Sequence, residues 1–432
     1  MGKQISHLAP APGVIALSEP SSYNFILFDP ERFHHGITHF QRLSPGDTLT
    51  IDPKVNFQEH VFNSPQDAFR QQFSVSHTGD SLVFKEPLSE HGTVLCVIGD
   101  SAEVPQITNH RKAALERVQN IYTDPLEPLS PEKAMASLKA VNNLLGEESS
   151  HCRDSLGNPG GLLKLPDHVR PVVVGDLHAQ VDNLLTILSE NSFLESLDNG
   201  SAALIILGDA VHSQEPGKLD EMDSSLFMMD LIFKLKIQYP EQVFYILGNH
   251  DSFDTEVMKL GVPQGLLWKK HVTASRGEEY KVELEKFYRQ SPLLLISKYC
   301  IACHAGPTRG KTSRQMLINA HQSPETVHDL TWSRIKSSSF PTGYTRNDVR
   351  QFRKDLDVSS DTVFIVGHNP YSNEKTVWLN AGQIEHHHIV ISYRPEWVGL
   401  FACIDSTMVP QLYPVSPLTQ WLREKNSSTT TH

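Results

Sequence analysis

Five short polar clusters lie between residues 175 and 370, and each contains Asp, Asn or His. They are Gly175-Asp176-Leu177-His178, Gly208-Asp209, Gly248-Asn249-His250-Asp251, His304-Ala305-Gly306-Pro307 and Gly367-His368-Asn369-Pro370. Each cluster follows an apolar run of the kind that forms a buried strand. Because the carboxyl ends of strands in an open α/β sheet point to one edge, clusters far apart in sequence can converge there. The pattern therefore predicts a single metal site.

The candidate ligands are carboxylates, one amide and imidazoles: Asp176, His178, Asp209, Asn249, His304 and His368. This oxygen and nitrogen set suits ions such as Mn, Fe or Zn. Six ligands plus water are too many for one such ion, whereas two divalent ions about 3.5–4 Å apart, bridged by a carboxylate and a water, use them all. Such a pair favours phosphoester hydrolysis by a metal-bridging hydroxide. His250 directly follows a ligand and is the candidate general acid.

The segments that must position these clusters alternate between strand and helix patterns from about residue 168 onward. Val181, Leu184, Leu185 and Leu188 follow the helical spacing i, i+3, i+4, i+7, which puts them on one apolar face. Because apolar strand-like runs are interleaved with such helices, we predict an α/β fold.

Four regions follow from the composition along the chain. Residues 1–125 are predicted as a β-rich accessory region, because short β-prone runs are separated by turn signals. Residues 126–165 are predicted as a helical linker, since Ser130-Pro131 is a helix-start signal and a Gly-rich stretch follows the helix. Residues 166–415 form the predicted catalytic domain, and residues 416–432 the predicted flexible tail.

The five clusters, in this order, resemble the motifs of the calcineurin-like metallophosphoesterases, and most closely those of the phosphoprotein phosphatase (PPP) branch, which includes bacterial members. The similarity covers about residues 168–410 and implies two packed mixed β-sheets flanked by helices, an α/β/β/α sandwich. The resemblance also implies a role for each ligand. Asp176, His178 and Asp209 would hold one ion, Asp209, Asn249, His304 and His368 the other, with Asp209 bridging and His250 acting as the acid.

The second cluster departs from that family. The PPP pattern continues GDxVDRG, with a carboxylate that orients the catalytic histidine and an arginine that binds phosphate, whereas here Gly208-Asp209 is followed by Ala210-Val211-His212-Ser213. His212 cannot serve His250 as a carboxylate would, so we expect another acid, Asp251 or Asp254, to orient His250. Other cations must bind the phosphate, and the candidates are Arg309, Lys311, Arg314 and Arg334.

One segment allows two further hypotheses. Cys303 and Arg309 have the C-x5-R spacing of cysteine-dependent tyrosine phosphatases, in which a thiolate attacks phosphorus. Residues 305–312 also nearly match a nucleotide-binding P-loop. Pro307 removes a backbone donor from either loop. Neither hypothesis gives a role to Asp176, His178 or His368, so the metal hypothesis is favoured.

We predict a two-metal phosphomonoesterase, and more specifically a protein phosphatase acting on phosphotyrosine or phosphoserine/threonine. A diadenosine-polyphosphate hydrolase of the same branch is the nearest enzymatic alternative. A catalytically weak phosphatase-fold binding module is a further alternative, because the acid and arginine of the second motif are absent. The complete set of metal ligands argues against a loss of catalytic activity.

Composition limits the location and the partners. The chain has 38 Lys and Arg against 50 Asp and Glu, a net charge of -12, which disfavours nucleic acid as a partner. No apolar run is long enough for a transmembrane segment, and five cysteines are too few for a disulfide framework, so a cytoplasmic location is expected. Met1-Gly2 through Ser6 fits the N-myristoylation pattern, which predicts membrane association, for instance as an effector secreted into a host cell.

Overall fold

A computed structural model describes residues 13–16, 23–28, 39–51, 73–84, 94–98, 109–123, 125–190, 193–371, 375–404 and 406–429. Its strands are β1 (Gly13–Ala16), β2 (Tyr23–Phe28), β3 (His39–Leu43), β4 (Thr48–Ile51), β5 (Phe73–His77), β6 (Ser81–Phe84), β7 (Val94–Ile98), β8 (His151–Arg153), β9 (Pro159–Lys164), β10 (Arg170–Val174), β11 (Ala202–Ile206), β12 (Val243–Tyr245), β13 (Leu294–Ile296), β14 (Cys300–Cys303), β15 (Val363–Val366), β16 (Val377–Trp378), β17 (His387–Val390), β18 (Trp397–Ile404) and β19 (Thr407–Pro414). Its α-helices are α1 (Asn109–Tyr122), α2 (Pro131–Glu147), α3 (Val181–Ser189), α4 (Phe193–Asp198), α5 (Asp223–Gln238), α6 (Gln264–Arg276), α7 (Glu278–Gln290), α8 (Arg314–Ile318), α9 (Pro324–Trp332), α10 (Arg346–Asp355) and α11 (Leu418–Thr429).

Two mixed sheets form the centre of the fold. One has five strands in the order β12-β11-β10-β18-β19, in which β10, β11 and β12 are parallel and β18 and β19 are antiparallel to their neighbours. The other has seven strands in the order β16-β17-β15-β14-β13-β9-β8. The α/β class and the pair of mixed sheets predicted from the sequence are confirmed.

Alternation along the strands explains how the two sheets pack. In β11, Ala203 and Ile205 lie in a core cluster that also contains Ala302 and Ile365 of the seven-stranded sheet. The intervening residue Leu204 lies in a second cluster with side chains of the surrounding helices. Successive strand residues point to opposite faces, so each sheet buries one face against the other sheet and one against helices.

The helices that cover the outer faces follow the predicted patterns. Val181, Leu184, Leu185 and Leu188 of α3 are all buried in the cluster on the five-stranded sheet. Helix α2 begins with Ser130 as its N-cap, whose side chain accepts a hydrogen bond from the backbone N–H of Lys133, and Pro131 is its first residue. None of the helices in the described ranges has the length and apolarity needed to cross a bilayer.

The region before the two central sheets contains further strands. Strands β1, β4, β5 and β6 form a four-stranded sheet, and β2, β3 and β7 a three-stranded one. Helix α1 lies within the interval 1–125, but Leu115 and Val118 pack in the core cluster of the five-stranded sheet. The domain boundaries themselves stay predictions. The Gly2 signal lies outside the described residues.

Two segments differ from the regions assigned by composition. Residues 159–164, placed in the predicted linker, form β9, which pairs with β13 in the seven-stranded sheet. Residues 418–429, placed in the predicted tail, form α11, and its Leu418 and Leu422 are fully buried. These two leucines are four residues apart and therefore share one helix face, which packs against the core.

Candidate metal centre

Six buried side chains meet where the strands of the two sheets end. Asp176 and His178 follow β10, Asp209 follows β11, Asn249 follows β12, His304 follows β14 and His368 follows β15. All six are at most 6% exposed. The ligand atoms of Asp176, His178 and Asp209 lie within 4.8 Å of one another, and so do those of Asp209, His304 and His368. Asp209 belongs to both groups, which is the position of a bridging carboxylate.

Glycines beside the ligands allow this close approach. A Cβ on Gly248 would clash with the Asp209 carboxylate, and a Cβ on Gly367 would clash with that of Asp176. The backbone also adopts positive φ angles at three ligands, 41° at His178, 49° at Asp209 and 57° at His368. A positive φ is energetically unfavourable for residues other than glycine, and such backbone strain occurs mainly at functional sites.

The imidazoles direct ring nitrogens toward the carboxylates. His304 Nδ1 is 2.6 Å from the Leu207 carbonyl and donates to it, so Nε2 carries the lone pair of the neutral ring. That Nε2 lies 2.9 Å from Asn249 Oδ1 and 3.4 Å from Asp209 Oδ2. Three lone-pair atoms facing one another repel unless a proton or a cation lies between them. The donor set therefore fits a metal ion.

His178 repeats this arrangement, and His368 adds a buried ring nitrogen. His178 Nδ1 donates to the Val211 carbonyl at 3.1 Å, and Nε2 lies 3.8 Å from Asp176 Oδ2. His368 Nε2 is buried and has no hydrogen-bond partner among the described residues. A buried polar nitrogen without a partner is costly, and a metal ion would satisfy it.

The charges of the cluster also suit cation binding. Burial would raise the pKa of Asp209, but the imidazoles of His304, His250 and His178 hold it well below its usual range. Burial lowers the pKa of His178 to about 3 and that of His368 well below its usual value, so both rings are neutral ligands. Burial opposes the charge of His304, yet Asp209 and Asp176 raise its pKa to about 9. A metal ion would take the place of that proton.

Of the four predicted phosphate-binding cations, one reaches this cluster. Arg334 is half-buried, and its Nη1 donates to the His368 carbonyl at 3.2 Å and to Asn369 Oδ1 at 3.3 Å. Burial lowers the pKa of Arg334, and the charges of Asp176 and Asp209 oppose that shift. The guanidinium is therefore within electrostatic reach of both carboxylates.

The other three cations lie elsewhere. Arg309 is bound by Asp329, with Nε 3.0 Å from Oδ1, and by the Thr342 carbonyl. Arg314 is exposed and donates to the Leu356 carbonyl, and Lys311 is exposed on the loop before α8. The structure does not bring these three to the metal ligands.

Comparison with known proteins agrees with this geometry. The family model described as calcineurin-like phosphoesterase matches residues 169–395, more than half of the chain. The chain belongs to that family. A protein serine/threonine phosphatase from Saccharomyces cerevisiae, described as similar to human phosphatase PP5, shares 13% identity, with a TM-score of 0.50 over 67% of this chain and 91% of its own. A cold-active protein-tyrosine phosphatase of a psychrophilic Shewanella shares 14% identity, with a TM-score of 0.38 over 58% and 83%.

In this phosphoesterase the expected acid partner of His250 is replaced by a histidine. Asp251 instead accepts from the backbone N–H groups of Gly248 at 2.7 Å and Asp209 at 3.0 Å and from the Tyr245 hydroxyl. It therefore joins the loops after β11 and β12. Asp254 accepts from a backbone N–H of its own loop. The expectation that either acid orients His250 is wrong.

The ring that contacts His250 belongs to His212, with the two Nδ1 atoms 3.0 Å apart. His212 is fully buried, whereas His250 is partly exposed. The spacing of the second motif already placed His212 near the site, but sequence alone did not show that an imidazole can take up this contact.

Further groups lie near the ligands of the phosphoesterase. Burial and the charge of Arg334 lower the pKa of Lys259, whereas Asp176 and Asp209 oppose that shift, which puts its ammonium close to the site. The Tyr393 ring makes an edge contact with His178, with centroids 4.8 Å apart, and Arg394 lies over Tyr393. Lys259 lies in a turn without a motif, so no signal in the sequence marked it.

The Cys303 segment lacks the features of a thiolate site. Cys303 is fully buried, its Sγ donates to the Gly306 carbonyl at 3.2 Å, and burial raises the pKa of the thiol far above its usual value. A nucleophilic cysteine requires the opposite shift and solvent access. The P-loop hypothesis is also disfavoured, because α8 has only five residues and begins after Lys311.

Proposed function

We propose that this phosphoesterase is a two-metal phosphomonoesterase of the PPP branch that acts on phosphorylated protein. The observation that carries the proposal is the convergence of five buried ligands in two overlapping groups that share Asp209, with Asn249 Oδ1 beside His304 Nε2. The order of the motifs and the fold shared with the yeast serine/threonine phosphatase support the branch. Cytoplasmic location, delivery as an effector and membrane association through Gly2 stay predictions.

Six of these residues would bind the two metal ions. Asp176, His178 and Asp209 would hold one divalent ion, and Asp209 with Asn249, His304 and His368 the other. Two divalent ions, when bound, supply Lewis acidity toward phosphoryl oxygens and lower the pKa of coordinated water.

The remaining groups bind the phosphoryl group and supply a proton. Arg334, fixed by the His368 carbonyl, binds phosphoryl oxygens through charge-assisted hydrogen bonds. His250 holds a proton for the leaving oxygen. The burial of the ligands excludes bulk water from these groups, which strengthens each electrostatic contact.

Apolar surface beside the site supports a protein substrate. Trp332 is 41% exposed, and its ring centroid lies 6.2 Å from that of His368. Phe340 is also exposed, and Arg334 lies over its ring at 5.0 Å. Aromatic side chains next to a phosphate-binding cation suit a peptide that carries phosphotyrosine or phosphoserine/threonine.

The test is hydrolysis of p-nitrophenyl phosphate and of the two kinds of phosphopeptide by the full chain, with Asp176→Asn as the control. We expect activity that Mn²⁺ stimulates, that a chelator abolishes and that iodoacetate leaves intact. Activity insensitive to chelator but lost with iodoacetate would point to Cys303. Preference for diadenosine polyphosphates over phosphopeptides would contradict the protein substrate, and wild-type activity no higher than that of Asp176→Asn would indicate a binding module.

A further inference from the structure

We propose that His212 is a positioning residue that fixes the ring of His250 and directs its free nitrogen toward the leaving group. The inference rests on the proposed function, in which His250 supplies a proton. Its direct support is the contact between the two Nδ1 atoms at 3.0 Å, a hydrogen-bond distance. The ring centroids are 5.3 Å apart at an interplanar angle of 68°.

His212 is itself held rigidly. Its backbone N–H donates to Ser225 Oγ at 2.9 Å, and its ring makes an edge contact with Trp268. The side chain is fully buried, and the residue has a φ of 67°, in the left-handed region that costs a residue other than glycine about 1 kcal/mol or more. A buried ring on a constrained backbone can fix the partly exposed ring of His250.

His250 has two further contacts. Its backbone N–H donates to Asp209 Oδ1 at 2.7 Å, and its ring makes an edge contact with His178 at 5.3 Å. The ring of His250 thus contacts the rings of both His178 and His212. This arrangement leaves Nε2 as the nitrogen that does not face His212.

The contact also selects a tautomer. Two neutral imidazoles can share the Nδ1–Nδ1 contact only if one donates and the other accepts. When His250 carries protons on both nitrogens, its Nδ1–H donates to His212 Nδ1 and its Nε2–H is left for the leaving oxygen. In the reaction the leaving oxygen takes the electron pair of the broken P–O bond together with the Nε2 proton, His250 is left as a neutral ring with its proton on Nδ1, and the water consumed in hydrolysis restores the proton that was transferred.

His212→Asn and His212→Gln provide a matched pair of variants. The shorter Asn side chain puts its amide near the position of Nδ1, whereas the amide of Gln lies near that of Nε2. The probes are phenyl phosphate and p-nitrophenyl phosphate, which have similar size but differ in leaving group. Because phenolate is the poorer leaving group, it depends more on a donated proton.

We expect His212→Gln to lower kcat on phenyl phosphate at least about tenfold more than on p-nitrophenyl phosphate, with KM and Mn²⁺ content unchanged. His212→Asn should retain most of the wild-type rate on both substrates. Equal losses on both substrates, or equal rates for the two variants, would overturn the role of His212 while wild-type activity remained. A wild type inactive on both substrates would overturn the proposed function itself.

Discussion

Cys303 and His304 are adjacent in sequence, and each belongs to a motif that predicts phosphate chemistry, yet the fold puts them in opposite environments. Cys303 packs among apolar side chains of the seven-stranded sheet and helices α9 and α10. His304 faces Asp209 and Asn249. Because Cys303 is the last residue of β14 and His304 is the first residue after it, a change of one position decides between core and active site. Spacing alone therefore does not identify a catalytic residue.

The arginines near these two residues also differ, because a carboxylate neutralises one of them and not the other. Arg309, the arginine of the C-x5-R pattern, is neutralised by Asp329 at 3.0 Å. Arg334 forms its hydrogen bonds with the backbone carbonyl of His368 and the amide oxygen of Asn369, neither of which carries a charge. A guanidinium without a carboxylate partner at its hydrogen-bond distance retains its charge for a phosphoryl group.

The largest expected effect comes from the carboxylate shared by both ligand groups. Asp209→Asn should lower kcat/KM at least about 100-fold and reduce bound metal below two ions per chain, since two bound ions stabilise the transition state by several kcal/mol. Metal analysis of the purified variant and steady-state rates with p-nitrophenyl phosphate are the measurements. Full activity in Asp209→Asn combined with inactivity in Cys303→Ala would show that the Cys303 thiol, and not the metal site, carries out the reaction.

The ligand set could be predicted because strand ends are local features with a shared direction. Asp176, Asp209 and His304 each follow an apolar run, and the sheet brings them together. Two features depended on tertiary partners instead. Gly160 and Gly161 resemble a linker in sequence, but a Cβ on either would clash with the backbone of α8, so they belong to a packed strand.

The contacts around His250 could not be predicted for the same reason. Asp251 follows His250 directly, which suggested a local partner, but its carboxylate binds backbone N–H groups. His212 reaches His250 from 38 positions away in the chain. Local sequence predicts which groups lie at the sheet edge, whereas the pairing between them depends on side-chain geometry.

A smaller effect distinguishes the two arginines. Arg334→Gln should raise KM for phosphorylated substrates about tenfold, because one charge-assisted hydrogen bond to phosphate contributes about 1.5–3 kcal/mol. Arg309→Gln is the matched control and should leave KM within about twofold. It removes the ion pair with Asp329, so the free energy of unfolding should fall by at most about 1 kcal/mol. A higher KM in Arg309→Gln than in Arg334→Gln would contradict the assignment.

The smallest effect on catalysis is expected at Cys303. Cys303→Ala should leave kcat and KM within about twofold, because the buried thiol packs among core side chains and donates to the Gly306 carbonyl. The variant should instead lose about 1–2 kcal/mol of unfolding free energy, from the removed sulfur and the small cavity that it leaves. Denaturant titration and the phosphatase assay separate the two effects. A large fall in activity at wild-type stability would indicate that the thiol is a catalytic group. A residue that only packs in the core lowers activity by destabilising the fold.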